Sequence, residues 1–255
     1  MLRAERIDKI IGILEEKGVV SVNDLSHHFG VTTMTIRRDL DELNSRGNFQ
    51  RTHGGAKFCV QAEKENEIPT LDRMRLFINE KIAIAKKAAS MIDPDETIFL
   101  GSGTTTLCLA KELHHRQDIS VVTNSLMIIN ELATNSQIDL MLVGGFLRRA
   151  EFSLIGNFAT DMIANLHVDK VFIGMRGIHP RFGLTSNHPQ EIMTDRAILS
   201  MSENIIVLAD HTKIGHVAAS RTDYITAAKT IITTEDASRE MIDAIINKGV
   251  EVIQI

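Results

Sequence analysis

The chain has 255 residues, 44% of them hydrophobic and 24% charged, with a net charge of −5 and two cysteines. That length suits two domains and that composition suits a soluble globular protein. The acidic balance excludes coating of nucleic acid through bulk positive charge, so any DNA-binding surface has to be local. Cys59 and Cys108 have no CxxC spacing, Met1–Glu16 interleaves charges with apolar residues, and no apolar run approaches the ~18 residues of a membrane span. A reduced, cytoplasmic setting without a membrane is expected.

Leu2, Ile7, Ile10, Ile11 and Leu14 recur at helical spacing, and Gly18 is the expected C-cap. Ser21, with Asp24 three residues on, gives a capping-box-like start to a second helix, which carries Leu25 and Phe29 inward and stops at Gly30. Thr32 caps a third helix that runs to about Asn44. Two short helices joined by a turn, the second rich in Thr and Arg, form the helix-turn-helix pattern. At about 100° per residue, Ile36, Leu40 and Leu43 fall on one narrow arc, which packs on the first two helices. Met34 and Arg38 project from the opposite side, flanked by Thr35 and Arg37. With Thr33 they are the candidate base-reading residues, since a Met suits a thymine methyl and an Arg a guanine edge or a phosphate.

From Asn44 to Val60 there is no acidic residue, yet Arg46, Arg51 and Lys57 are present. Asn48–Thr52 and Ala56–Val60 read as two short strands around His53-Gly54-Gly55, a hairpin wing. Its Arg51, His53 and Lys57 are placed to lie along the phosphate backbone and fix register. Residues 31–60 hold five Lys/Arg against three Asp/Glu, a local +2 in an acidic protein.

Residues 61–76 are polar and acidic up to Pro69 and read as a linker, with Arg73 and Arg75 just after it. The expected division is therefore a winged helix-turn-helix domain at 1–60, a linker at 61–76 and an α/β domain at 77–255. In the last, helix and strand alternate. Strands are expected at Thr97–Leu100, Ser120–Thr123, Asp139–Val143, Lys170–Gly174, Asn204–Ala209, Thr230–Thr233 and Val250–Ile253, giving a mostly parallel sheet covered on both faces.

Ligand chemistry belongs at the carboxyl ends of such strands. Gly101-Ser102-Gly103-Thr104-Thr105-Thr106 turns from strand to helix with two glycines and four hydroxyls. Glycines admit an anion to backbone N–H groups, the helix N-terminus favours negative charge, and hydroxyls add donors, so this loop reads as a phosphate cradle. It lacks the Lys of a P-loop, which disfavours nucleotide triphosphate hydrolysis. Asn124, Gly144 and Gly145, Asp210 and Lys213 close other strands at the same level. Lys213 suits a phosphate or carboxylate, and Asp210 suits sugar hydroxyls. His27-His28 and His114-His115 lack the i, i+4 geometry of a metal site, so neither metal nor cofactor is expected.

The run TIRRDL, then Leu43, Gly47, Arg51 and His53-Gly54-Gly55-Ala56, resembles the signature of the DeoR family of bacterial transcription regulators. Thr32 stands where that family most often has Ser, and Asn48-Phe49 where it usually has an aliphatic pair. The strand-end marks continue the resemblance over nearly the whole chain. It implies a C-terminal domain similar in fold to ribose-5-phosphate isomerase that binds a phosphorylated sugar or related metabolite. The effector residues it carries over are Gly101–Thr106, Asn124, Gly144, Gly145 and Lys213, with Gly183 after the fourth main strand. Glu191 and Arg196 are retained in the following helix, but Asp195 stands where Lys is common.

The function expected is that of a regulator, a repressor of a carbohydrate operon, binding a double-stranded DNA operator as a homo-oligomer (dimer or tetramer) and modulated by its effector. The alternative is an isomerase carrying a DNA tether. It needs an acid/base group poised at the substrate carbon, for which Glu191, Asp210 and Lys213 are the only strand-end candidates, and Gly174-Met175-Arg176-Gly177-Ile178 holds no carboxylate. No catalytic residue is expected.

Overall fold

The computed structural model describes residues 3–17, 19–45, 49–52, 55–58, 70–134 and 137–255. The chain divides into two compact units, Met1–Asn79 and Glu80–Ile255. Gly18, Arg46, Asn48, His53, Gly54, Val60 and the expected linker segment 61–69 lie outside the described residues.

In the first unit α1 (Arg3–Lys17), α2 (Val22–Phe29) and α3 (Thr33–Ser45) enclose a small core of Ile7, Ile10, Leu25, Ile36, Leu40 and Leu43. The caps are those the sequence calls for. The Ser21 side chain accepts from the Asp24 N–H at 3.0 Å, Gly30 takes the left-handed conformation at φ 62°, and the Thr32 hydroxyl accepts from the Thr35 N–H at 3.2 Å. The wing is β2 (Phe49–Thr52) paired antiparallel with β3 (Gly55–Phe58). A further strand not expected from the sequence, β1 (Val19–Ser21), pairs with β3 and completes a three-stranded sheet of order β1-β3-β2. Three residues are too few to show a period. A short α4 (Thr70–Arg73) precedes α5 (Ile78–Ala89).

The second unit is built on β4 (Thr97–Leu100), β5 (Ser120–Thr123), β6 (Asp139–Leu142), β9 (Lys170–Ile173), β12 (Ile205–Leu208), β14 (Thr230–Thr233) and β15 (Glu251–Gln254). These are the seven strands expected, and every pairing among them is parallel, in the order β15-β14-β12-β9-β4-β5-β6. Helices α6 (Thr104–Glu112), α7 (Leu126–Leu132), α8 (Asn157–Ile163), α9 (Pro189–Leu199) and α10 (Arg239–Ile246) alternate with them. Residues such as Phe99, Val171, Phe172, Val207 and Ile231 are buried, as befits strands with no solvent face.

Two smaller sheets were not foreseen. β7 (Phe146–Arg148) and β8 (Ser153–Ile155) form a hairpin, while β10 (Gly177–His179), β11 (Gly183–Ser186) and β13 (Ser220–Asp223) form an antiparallel sheet. Gly183 belongs to the second of these. Its φ is 81°, and a Cβ there would stand 2.1 Å from the Asp223 carbonyl oxygen, so its glycine is required by strand packing.

Strand order fixes where a ligand can sit. The chain runs outward through β4, β5 and β6, then returns to lay β9 on the other side of β4 before continuing through β12, β14 and β15. The crevice between β4 and β9 is the topological switch point of the sheet, and the loop leaving β4 there is Gly101–Thr106.

Candidate functional site

On α3 the apolar arc and the outer face separate cleanly. Ile36, Leu40 and Leu43 are at most 1% exposed, whereas Met34 is 59% exposed and Thr33, Arg37 and Arg38 are exposed beside it. Thr35 is half-buried, its hydroxyl 3.0 Å from that of Thr32. Asp39 departs from the outward trend. It is 1% exposed, accepts from Arg6 at 2.6 and 3.3 Å, and takes Arg3 at 3.1 Å. The two arginines of TIRRDL thus face outward while its aspartate locks α3 to α1. Arg51 and Lys57 are placed by strand register, Arg51 opposite Ala56 and Lys57 opposite Gln50. His53 lies outside the described residues.

In the second unit, Gly101 donates its N–H to the Phe172 carbonyl at 2.8 Å, tying the loop after β4 to β9. Gly103 caps α6 without a side-chain hydrogen bond, and Thr104 and Thr105 open the helix with 7% exposure each. Thr106 serves the turn itself: fully buried, its hydroxyl donates to the Gly103 carbonyl at 3.0 Å. Asn124 follows β5, donates from Nδ2 to the Leu154 carbonyl at 3.2 Å, and keeps Oδ1 buried without a hydrogen-bond partner. Gly144 is exposed. At Gly145 a Cβ would come 2.8 Å from the Ile155 carbonyl oxygen, so the β7–β8 hairpin closes only over a glycine.

After β12, Asp210 accepts from the Thr212 N–H at 3.1 Å and from its hydroxyl, and Lys213 stands 3.9 Å away. Burial works against the Asp210 carboxylate, but Lys213, the Thr212 hydroxyl, Lys81 and His211 together hold its pKa below the usual range. Lys81, on α5, is 3% exposed and was missed in the sequence. Burial pushes the Cys108 thiol on α6 up, with Lys81 as the largest opposing charge. A buried lysine acting on both α6 and Asp210 belongs to the carboxyl edge of the sheet. Its signal was phase: Lys81, Ile84, Ala85 and Ala88 share one buried face of α5 at i, i+3, i+4 and i+7.

Glu191 enters a different constellation. It is 8% exposed, 3.1 Å from Arg148 Nε, and accepts from the Ser186 hydroxyl at 3.4 Å. Arg148 also stands 3.8 Å from Glu151, which pairs in turn with Arg176 on the loop after β9. Arg176 therefore borders the switch point. Partly buried Asp195 faces this cluster. Burial, then Glu191 and Glu151, push its pKa up to about 8, with Arg148 pulling the other way. Where the family resemblance implies Lys, this chain places a carboxyl that holds a proton at neutral pH.

That proton has a thermodynamic consequence. Between the unfolded pKa of about 4 and the folded value near 8, the native state binds a proton that the unfolded chain has released, so this group's contribution falls as pH rises. Asp195→Asn is expected to match the native chain's thermal stability near pH 4 and exceed it progressively up to about pH 8, a gap that melting curves across pH would show. A gap independent of pH would contradict this placement of Asp195.

A cleft of about 500 Å³ lined by His167, Asp169, Ser202 and Asn204 lies where the chain enters β9 and β12, at the amino edge of the sheet. The strand-end and helix-N-terminus chemistry lies at the other edge, and that is where a ligand site is to be sought.

Residues 6–62 match the DeoR-like helix-turn-helix domain, and residues 77–235 match the DeoR C terminal sensor domain. The chain belongs to the DeoR family. Similar DeoR-type relatives include the HTH-type transcriptional regulator GolR of Listeria innocua, 33% identical over 249 residues, covering 98% of this chain and 94% of that one. The glycerol-3-phosphate regulon repressor of Escherichia coli is 34% identical over 218 residues, covering 86% and 85%. Among solved structures, ribose 5-phosphate isomerase A of Methanocaldococcus jannaschii aligns with a TM-score of 0.38 at 19% identity over 52% of each chain. Among the described residues of this DeoR-family chain, no helix is long and apolar enough to cross a membrane.

Proposed function

We propose that this chain is a transcriptional repressor of a carbohydrate operon, acting in the cytoplasm as a homo-oligomer on double-stranded DNA and released by a phosphorylated sugar. The observation that carries the DNA half is the outer face of α3. Met34, Arg37 and Arg38 stand exposed on a helix whose other side is locked by buried Asp39 and Leu40. An exposed Met beside two exposed arginines, on a rigidly held second helix, is a surface for apolar and hydrogen-bonding contact in a major groove. Arg51, His53 and Lys57 of the wing supply phosphate contacts in this reading.

The effector half rests on the switch-point position of Gly101–Thr105 and on two cations, Lys81, whose charge acts on α6, and Lys213 after β12. An uncapped helix N-terminus with hydroxyls favours the phosphate, while Asn124 and Asp210 offer acceptors to sugar hydroxyls. Gly144, Gly145 and Thr106 shape the surrounding loops, and Glu191 orients Arg148. No group in this arrangement is assigned to catalysis. Control follows from linkage: an effector that binds one arrangement of the protein better than the DNA-competent one shifts the population by the difference, typically about 1–3 kcal/mol.

Arg38→Ala is expected to weaken operator binding by about 1–3 kcal/mol without lowering the melting temperature, as read by titration of a labelled promoter fragment. Unchanged affinity would show that α3 is turned differently on DNA.

A further inference from the structure

We infer that Glu80, His211 and Asp236 form a binding site for a divalent transition-metal ion of the zinc class. Each residue offers one ligand atom, and the three atoms lie within 4.8 Å of one another. They arrive from separate segments: the first turn of α5, the short 3-10 turn after β12 and the loop after β14. Because β12 and β14 are adjacent parallel strands, their exit loops leave the sheet side by side, and α5 brings Glu80 to them.

The donors are held in place. Glu80 Oε2 accepts from the Thr234 hydroxyl at 2.7 Å, lies 2.9 Å from His211 Nδ1, and takes the His211 N–H at 3.4 Å. The Thr234 hydroxyl on Glu80 is the kind of outer contact that orients a ligand around a metal, and Glu80 and His211 already stand together as two members of the set. Glu80 and His211 are partly buried and Asp236 is exposed, so an ion can enter from solvent.

Chemistry narrows the ion. Two carboxylates and one imidazole make a mixed oxygen and nitrogen set, which suits zinc and its first-row neighbours, whereas magnesium and calcium take oxygen donors alone. A bound ion takes imidazole in its deprotonated form, and two carboxylates match the charge of a divalent ion. Lys213, two residues after His211, is engaged with the Thr212 hydroxyl at 3.0 Å and with Asp210, while Lys81, next to Glu80, is buried and acts on Asp210. Three protein donors leave coordination positions to oxygen from water or from a ligand. No motif spacing announces such a site, because its donors are 131 and 25 residues apart along the chain.

The site stands whether or not a sugar phosphate is the effector, so it is tested without one. Calorimetric titration of the chelator-treated full chain with zinc chloride is expected to show one saturable site. His211→Ala and Asp236→Asn should each weaken it about 100-fold or more, since loss of an outer-shell partner alone costs about 10–100-fold. Magnesium chloride should give no comparable binding. Asp236 is exposed, so Asp236→Asn removes a donor without touching the core, and a metal-free melt of each variant checks folding. Zinc binding of equal affinity in both variants would move the ion to His27-His28 or His114-His115 and overturn the site. So would the absence of zinc binding to the native chain.

Discussion

Asp39→Ala is expected to destabilise the N-terminal unit by about 3–5 kcal/mol and to abolish operator binding, although the side chain faces away from the DNA-reading surface. Asp39 is 1% exposed and Arg6 is 7% exposed, joined at 2.6 Å. Removing the carboxylate leaves the guanidinium of Arg6 buried without its counter-charge, which costs more than the pair ever contributed in net stability. The second arginine softens this little, because Arg3 is 56% exposed and an exposed partner is worth at most about 1 kcal/mol. Thermal unfolding and operator titration together check the prediction. The variant should melt its first unit early, whereas Arg38→Ala should lose affinity and keep its melt. An Asp39→Ala protein that unfolds with the native profile would show that this clamp does not hold the unit together.

The second large effect is expected at Lys81. Lys81→Met keeps the length and apolar stem of the side chain while removing its charge from the carboxyl edge of the sheet. If this lysine faces the phosphate of the effector, the change should weaken effector binding by about 2–5 kcal/mol, the usual cost of truncating one partner of a buried charge pair. Operator affinity in the absence of effector should not change, because Lys81 lies outside the DNA-reading unit. Calorimetry with the releasing sugar phosphate, alongside operator titration, separates the two. A variant that still releases DNA at the native effector concentration would place the phosphate elsewhere than beside Lys81.

What the sequence showed and what it hid follow one physical division. The seven parallel strands were legible because buried strands are written as short apolar runs such as Ile205-Ile206-Val207-Leu208, each bounded by turn residues. Helix ends at Ser21, Gly30 and Thr32 were legible because capping is local. The β7–β8 hairpin was not, since Phe146 and Leu147 are 65% and 47% exposed while Arg148 turns inward to Glu191, the reverse of the usual pattern.

Charged residues were the harder case. Asp39 lies on the same helical arc as Ile36, Leu40 and Leu43, and Lys81 on that of Ile84, Ala85 and Ala88. Helical phase alone would have turned both inward, but a charge is read as exposed unless its partner is known. Arg6, which pairs with Asp39, and Asp210, whose carboxylate feels the Lys81 charge, are 33 and 129 residues away along the chain. The role of Asp195 was hidden for the same reason. A carboxyl among carboxylates is a charge reversal in sequence and a neutral acid in the folded protein.

The proposed control, in which a phosphorylated sugar held at the switch point lifts the protein from its operator, is the point on which the function turns. It is tested most directly by binding the chain to DNA from its own promoter neighbourhood and titrating sugar phosphates, each beside its unphosphorylated parent. Release by one phosphorylated compound, with the parent sugar inert at the same concentration, is the predicted result. Tight operator binding that no phosphate alters, or release by a parent sugar as readily as by its phosphate, would contradict it.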